Sequence, residues 1–168
     1  FDTFSLEMAE EETVLEGLLR IRDEQDPSLA FRGACQQGFC GECALRINSS
    51  GRLACRSLVG KLAAPERPIS VEPLRHVPVV KDLVWDMQAF LWSKVEALHP
   101  WVAAENPPAA EHSVSPEVTA DLQKVMSCYM CGLCDEGCTV IAVDDTFLGP
   151  AALTKAYRVI FDPRDVHR

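Results

Sequence analysis

The chain has 168 residues, 48% of them hydrophobic, and a formal net charge of −9. That length holds one or two globular domains, and the acidic balance argues against nucleic-acid binding, which wants basic patches. No window approaches the roughly 18–20 continuous apolar residues of a membrane span, and the chain does not open on a basic segment followed by an apolar one.

The first eight residues alternate. Phe4, Leu6 and Met8 fall on one side, and Thr3, Ser5 and Glu7 on the other, which predicts a half-buried strand from Phe1 to Met8. Glu11-Glu12-Thr13 opens a helix, with acids near its start to suit the dipole. Val14, Leu15, Leu18, Leu19 and Ile21 give it an apolar face for core packing, and Asp26-Pro27 ends it.

Next comes Cys35-Gln-Gln-Gly-Phe-Cys40-Gly-Glu-Cys43, with Cys55 further on. It reads C-x4-C-x2-C…C, the plant-type [2Fe–2S] spacing, in which a distant fourth cysteine closes the site from another loop. Gly33, Gly38 and Gly41 suit a segment whose amides must approach inorganic sulfur closely. Ala44 to Ile47 reads as a strand, Asn48-Ser-Ser-Gly51 as a turn, and Arg52-Leu53-Ala54 as the return that delivers Cys55. Ile69 to Leu74 is a last strand. Strand, helix, cysteine loop, hairpin and strand make an α+β unit over residues 1–77 that fits a β-grasp ferredoxin domain.

Pro65, Pro68, Pro73 and Pro78 mark the end of that domain. From Lys81 the period turns helical, with Val84, Met87, Leu91, Val95 and Leu98 three or four apart. Trp85 and Trp92 lie a heptad apart on an adjoining face, read as core, with a partner-protein contact as the alternative. Pro100 to Pro116 is loop-like around Asn106-Pro107-Pro108. Ser115 caps a helix with Pro116 in its first position, running to about Met126. It feeds Cys128-Tyr-Met-Cys131-Gly-Leu-Cys134-Asp-Glu-Gly-Cys138, which reads C-x2-C-x2-C-x3-C, the bacterial-ferredoxin spacing whose fourth cysteine, in two-cluster proteins, ligates a different cluster. Gly132 and Gly137 let the backbone curl. Gly149-Pro150 starts a last helix with Leu153, Ala156, Tyr157, Ile160 and Phe161 as its apolar stripe, stopped by Asp162-Pro163. Residues 78–168 thus read as an all-helical, bacterial-ferredoxin-like domain.

All eight cysteines fall in these two sets. Zinc sites usually pair two separated C-x2-C knuckles, and neither set has that form. Close-set cysteines in a chain that opens without a signal peptide argue for metal over disulfides. His76, His99, His112 and His167 are scattered and read as surface or structural. Nothing resembles a nucleophile–base constellation.

A plant-type [2Fe–2S] domain followed by a helical domain with a C-x2-C-x2-C-x3-C run resembles the iron–sulfur subunit of succinate dehydrogenase / fumarate reductase, respiratory complex II. Asp23 to Arg32, Cys40-Gly-Glu-Cys43-Ala, Leu53-Ala-Cys55, Pro78-Val-Val-Lys-Asp-Leu83, Leu148-Gly-Pro-Ala-Ala-Leu153, Ala156-Tyr157-Arg158 and Asp162-Pro-Arg-Asp165 carry it. The resemblance implies three clusters, [2Fe–2S], [4Fe–4S] and [3Fe–4S]. Cys35, Cys40, Cys43 and Cys55 match the ligands of the first. Cys128, Cys131 and Cys134 match three ligands of the second, and Cys138 one of the third. It also implies an FAD-carrying flavoprotein partner, membrane anchor subunits with quinone, and a peripheral place at the cytoplasmic face of the bacterial inner membrane. Single electrons would pass between flavin and quinone, with no catalytic residue in this chain. The family's remaining three cysteines lie further on, so the chain is expected to be a fragment cut at both ends, its second domain incomplete. Where the family usually has Pro after the cysteine matching Cys138, this chain has Thr139-Val140-Ile141-Ala142, a departure at the quinone contact that leaves open a divergent subclass using a different quinone or acceptor. Two alternatives stand beside this: a self-contained two-cluster carrier with Cys138 as fourth ligand, and the iron–sulfur subunit of another fumarate-type reductase.

Overall fold

The computed structural model describes residues 2–64, 67–104 and 109–166. Phe1, Pro65, the Asn106-Pro107-Pro108 loop centre and His167 lie outside them. The described residues form two compact units: Phe1–Asp86 with Cys131–Gly137, and Met87–Met130 with Cys138–Arg168. The first unit therefore runs past the expected boundary at residue 77 and takes in part of the second cysteine run.

The first unit is built on helix α1, Val14–Glu24. Its start is a full capping box: the Thr13 hydroxyl accepts from the Glu16 amide, and the Glu16 carboxylate accepts from the Thr13 amide. Strands β1 (Ala44–Ile47), β2 (Ser50–Leu53) and β3 (Val71–Glu72) form an antiparallel sheet in the order β2-β1-β3. Leu15, Leu18, Leu45, Ile47 and Ala54 pack into one core, and Cys43 and Cys55 are part of it.

Three sequence expectations change here. The stretch up to Met8 is not a strand over its described residues. Its alternation is real, since Phe4, Leu6 and Met8 are half-buried between exposed neighbours. Yet its carbonyls go to side chains of α1: Gln25 donates to Ser5 O at 3.0 Å and Arg20 to Glu7 O at 2.8 Å. A strand needs a ladder, and none forms. The hairpin turn is shorter than expected. Asn48 and Ser49 both take positive φ, 46° and 66°, and Ile47 pairs directly with Ser50, so Gly51 already lies in β2. The last strand shrinks to Val71–Glu72. Before it, the Ser70 amide bonds the Asn48 side chain at 3.0 Å, and after it Pro73 has no amide to give.

The largest departure is at residues 79–86. The helical spacing from Lys81 is wrong there: β4 (Val79–Lys81) and β5 (Val84–Trp85) form an antiparallel hairpin, with Asp82 at φ 48°. The hairpin is tied to the α1–β1 loop. Asp82 accepts from the Ala30 amide at 2.8 Å, the Leu83 amide donates to Ala30 O at 3.1 Å, and Arg32 donates to Trp85 O at 2.9 Å. These bonds reward an extended backbone that the apolar spacing could not reveal. So residues 78–168 are not all-helical. Helix α2 is the short turn Val59–Leu62. Within it, a Cβ on Gly60 would lie 2.5 Å from Glu10 Cβ and 2.9 Å from Glu10 O. Gly60→Ala is expected to destabilise the fold by about 1–3 kcal/mol, as overpacking against backbone does, read as a lowered thermal midpoint.

In the second unit the elements are helical. A π turn over Gln88–Trp92 runs into α3 (Ser93–Glu96). Helix α4 (Pro116–Met126) has its Ser115 cap as expected, and α6 spans Gly149–Ile160. Trp85 is core, in the first unit, while Trp92 is partly exposed. The expected stripe of α6 is only partly covered: Ala156 and Tyr157 are half-buried and Leu153, Ile160 and Phe161 exposed, while Ala151 and Ala152 are the buried residues. Among the described residues, no helix is long and apolar enough to cross a membrane.

Candidate metal centre

The first cysteine loop joins α1 to β1 and curls through left-handed backbone at Gln36, Gly38 and Gly41. At Gly38, φ is 79° and a Cβ would come within 3.1 Å of the Arg56 side chain, so a larger residue there is strained and must displace Arg56. The curl turns the amides of Gln37, Phe39 and Cys40 onto Cys35 Sγ, at 3.4, 3.3 and 3.3 Å. Those amides of Cys40, Gln37 and Phe39 hold the Cys35 thiol down to about 6. The Cys40 thiol also bonds it. Cys35 and Cys40 thus form one close pair, on the more open side.

The second pair comes from the hairpin. Ala44 opposes Leu53 across β1 and β2, and the Ala54 amide donates to Cys43 O at 2.9 Å. That register sets Cys43, just before β1, beside Cys55, in the 3-10 turn after β2. Cys43 is 2% exposed, and burial pushes its thiol up to about 11. Two pairs of thiols, one amide-rich and one buried, are what a [2Fe–2S] centre asks for, since it takes four thiolates, two on each iron.

In the metal-free chain these states predict a pattern of reactivity. Alkylation needs the thiolate. Cys35 is expected to label readily at pH 7, with its rate falling as pH drops through about 6, while Cys43 stays protonated and unlabelled until well above neutral pH. Mass spectrometry of iodoacetamide-treated protein reads this directly. Equal labelling of both would contradict the amide nest.

The second cysteine run divides between the units. Cys131 and Cys134 belong to the first, Cys128 and Cys138 to the second. Gly132, at φ 80°, precedes the short helix α5 (Leu133–Glu136), and Met130 is also left-handed at φ 61°. Lys155 of α6 donates to Cys128 O at 2.8 Å. Sequence reasoning passed over Asp135 and Glu136, yet both carboxylates are buried, 1% and 4% exposed. Among the described residues, no three His, Cys, Asp or Glu side chains converge to hold a single metal ion. Of the histidines, His76 and His99 occupy positive-φ positions, and His112 is exposed.

Residues 1–92 match the family described as a 2Fe-2S iron-sulfur cluster binding domain. Over 98% of its length the chain is 34% identical to the fumarate reductase iron-sulfur subunit of Mycobacterium tuberculosis, spanning 67% of that protein. It belongs to the family of succinate dehydrogenase and fumarate reductase iron–sulfur subunits. The succinate dehydrogenase iron-sulfur subunit of Paracoccus denitrificans is 38% identical over 90% of the chain, and the mitochondrial succinate dehydrogenase [ubiquinone] iron-sulfur subunit 1 of rice, Oryza sativa, 37%. The chain spans 58% and 54% of those two proteins. Among solved structures, a chain of the Mycobacterium smegmatis Sdh1 complex in the apo form matches with a TM-score of 0.82 and 27% identity, over 97% of this chain and 69% of that one. The stretch that matches the 2Fe-2S family model includes the first cysteine set, and its fold here mixes helix and sheet.

Proposed function

We propose that this chain is the electron-transfer part of a succinate:quinone oxidoreductase, moving single electrons between the flavin of a partner subunit and membrane quinone. The observation that carries the reading is the arrangement of Cys35 with Cys40 and Cys43 with Cys55 at one end of the hairpin. Those four would hold a [2Fe–2S] cluster. Cys128, Cys131 and Cys134 would supply three ligands of a [4Fe–4S] cluster, and Cys138 one ligand of a [3Fe–4S] cluster. When bound, such clusters supply reversible one-electron transfer at potentials set by their surroundings.

The rest is work for the chain's own residues. The amides of Gln37, Phe39 and Cys40 stabilise sulfur charge at Cys35. The core around Cys43 and Cys55 excludes water from the other pair. No acid, base or nucleophile of this chain is required, since substrate chemistry falls to the flavoprotein. The first unit would hold the [2Fe–2S] cluster, and the second cysteine run, divided between the units, would serve the other clusters. The partners are the flavoprotein and a membrane anchor, and the place is the cytoplasmic face of the bacterial inner membrane.

Iron, acid-labile sulfide and zinc are the deciding measurements on anaerobically purified chain, with EPR after dithionite reduction. The reading expects a [2Fe–2S] signal with matching iron and sulfide. Stoichiometric zinc without sulfide would sink it. The self-contained carrier is tested by Cys138→Ser: if that change destroys the cluster held by Cys128, Cys131 and Cys134, Cys138 is its fourth ligand and the carrier reading takes over.

A further inference from the structure

A loop that only holds inorganic sulfur has no use for extra negative charge, because a carboxylate beside thiolates disfavours them both. Yet Glu136, between Cys134 and Cys138, is buried. Its Oε1 accepts from Arg75 Nε at 2.8 Å and lies 3.8 Å from Arg46 Nε. Arg75 Nη2 also donates to Glu136 O at 3.4 Å. Arg46 sits on β1, the central strand, where its Nη1 holds Glu72 of β3 at 3.2 Å. Among the described residues the buried Arg46 Nε has no hydrogen-bond acceptor, so the carboxylate of Glu136 is its balancing charge. On β2, a Cβ at Gly51 would lie 2.7 Å from Glu136 Oε2 and 3.2 Å from Leu133 Cδ2. The absent side chain at Gly51 is what lets α5 lie on the sheet. At the other end of α5, Gly132 leaves room for Leu74 and Trp85, which a Cβ would meet at 3.3 and 3.4 Å.

We propose that Glu136 is a positioning residue, which fastens the Cys131–Gly137 segment to Arg46 of β1 and to Arg75 beyond β3, over the open face of β2 at Gly51, and so fixes where Cys131 and Cys134 present their thiols. Its consequence for metal loading rests on the reading of those two cysteines as cluster ligands. The clamp itself does not. Two guanidiniums offset the cost of burying the carboxylate, and removing it takes away the charge nearest the buried Arg46 Nε and leaves Arg46 with Glu72 alone, a costly change inside a buried cluster.

The test uses the full chain with Glu136→Gln, which keeps the shape and removes the charge, and Arg75→Ala, at a half-exposed position that tolerates truncation. In metal-free protein, exchange at the Glu136 and Gly137 amides, which bond Gly132 O and Leu133 O, is expected to speed up about 100-fold in either variant. The double variant should be no worse than the worse single one, and Arg75→Lys should keep most of the protection. In anaerobically reconstituted protein, iron bound by the second cysteine set should fall at least about 5-fold, while the [2Fe–2S] signal stays at full intensity. Unchanged exchange in Glu136→Gln would overturn the proposal, and so would equal loss at both sites, which marks general unfolding. If the wild-type chain binds no iron at the second set, the ligand reading fails instead, and the exchange comparison still decides the clamp.

Discussion

Cys43→Ala is expected to abolish the [2Fe–2S] signal outright, not to weaken it by a quarter. Four thiolates divide between two irons, so losing one leaves an iron with a single protein ligand and an open face to water. Iron and sulfide at the first set should fall to near background. The loss should be chemical and not structural. Cysteine to alanine removes one atom from a buried site, and the surrounding core of Leu45, Ala54 and Ile47 remains, so the metal-free fold should lose only about 1–2 kcal/mol. The two effects separate experimentally: EPR and sulfide report the first, and the thermal midpoint of metal-free protein the second. Cys35→Ala should abolish the signal equally, with a smaller cost to the fold, because Cys35 lies outside that core. A signal of full intensity in Cys43→Ala would break the pairing with Cys55 and with it the proposed centre.

The cysteine sets of the proposed centre are visible in the amino-acid sequence alone. Spacing alone placed all eight cysteines in two sets, because ligand spacing is a covalent constraint that tertiary structure cannot alter. Helix α1 and the start of α4 were equally plain, since Thr13 and Ser115 cap locally. What stayed hidden depended on residues distant in sequence. The hairpin of Val79–Trp85 is fixed by Ala30 and Arg32, some 50 residues earlier. Val84 and Met87 happen to suit a helix as well, so periodicity favoured the wrong element. Asp135-Glu136 carries no local signal of burial, and the approach of Arg46 and Arg75 is what makes burial of Glu136 tolerable. The Phe4, Leu6, Met8 alternation predicted burial correctly and pairing wrongly, because a period of two reports which side is covered and says nothing about who covers it. The stripe of α6 failed differently, on burial itself, since Ala151 and Ala152 turn inward and Leu153 and Ile160 outward.

Leu15→Ala is expected to be the most damaging core change, and its damage should reach the cysteine loop. Leu15 is 1% exposed and stands on the face of α1 turned to β1. Truncating a buried leucine costs about 2–5 kcal/mol, more where the site cannot collapse. Here it collapses poorly. The helix is held at its start by the Thr13 capping box and by the Val14 amide bonded to Ser57 O at 2.9 Å, so α1 cannot settle inward. A thermal midpoint lowered by more than about 10 °C follows for a unit of this size. Leu15 also fills the space over Gly33, where a Cβ would lie 2.8 Å from Leu15 Cδ1. Gly33 leads into Cys35, so the vacated volume frees the backbone at the point where the amide nest begins. The Cys35 thiol should then lose part of its stabilisation and titrate above 6, toward its ordinary range. A double variant with Gly33→Ala refills the space from the other side and should recover part of the midpoint. That rescue would show the two positions acting through one contact. If Leu15→Ala lowers the midpoint while leaving Cys35 reactivity at pH 7 unchanged, the loop is held by its own hydrogen bonds, and the core beneath it supports the fold without setting the thiol.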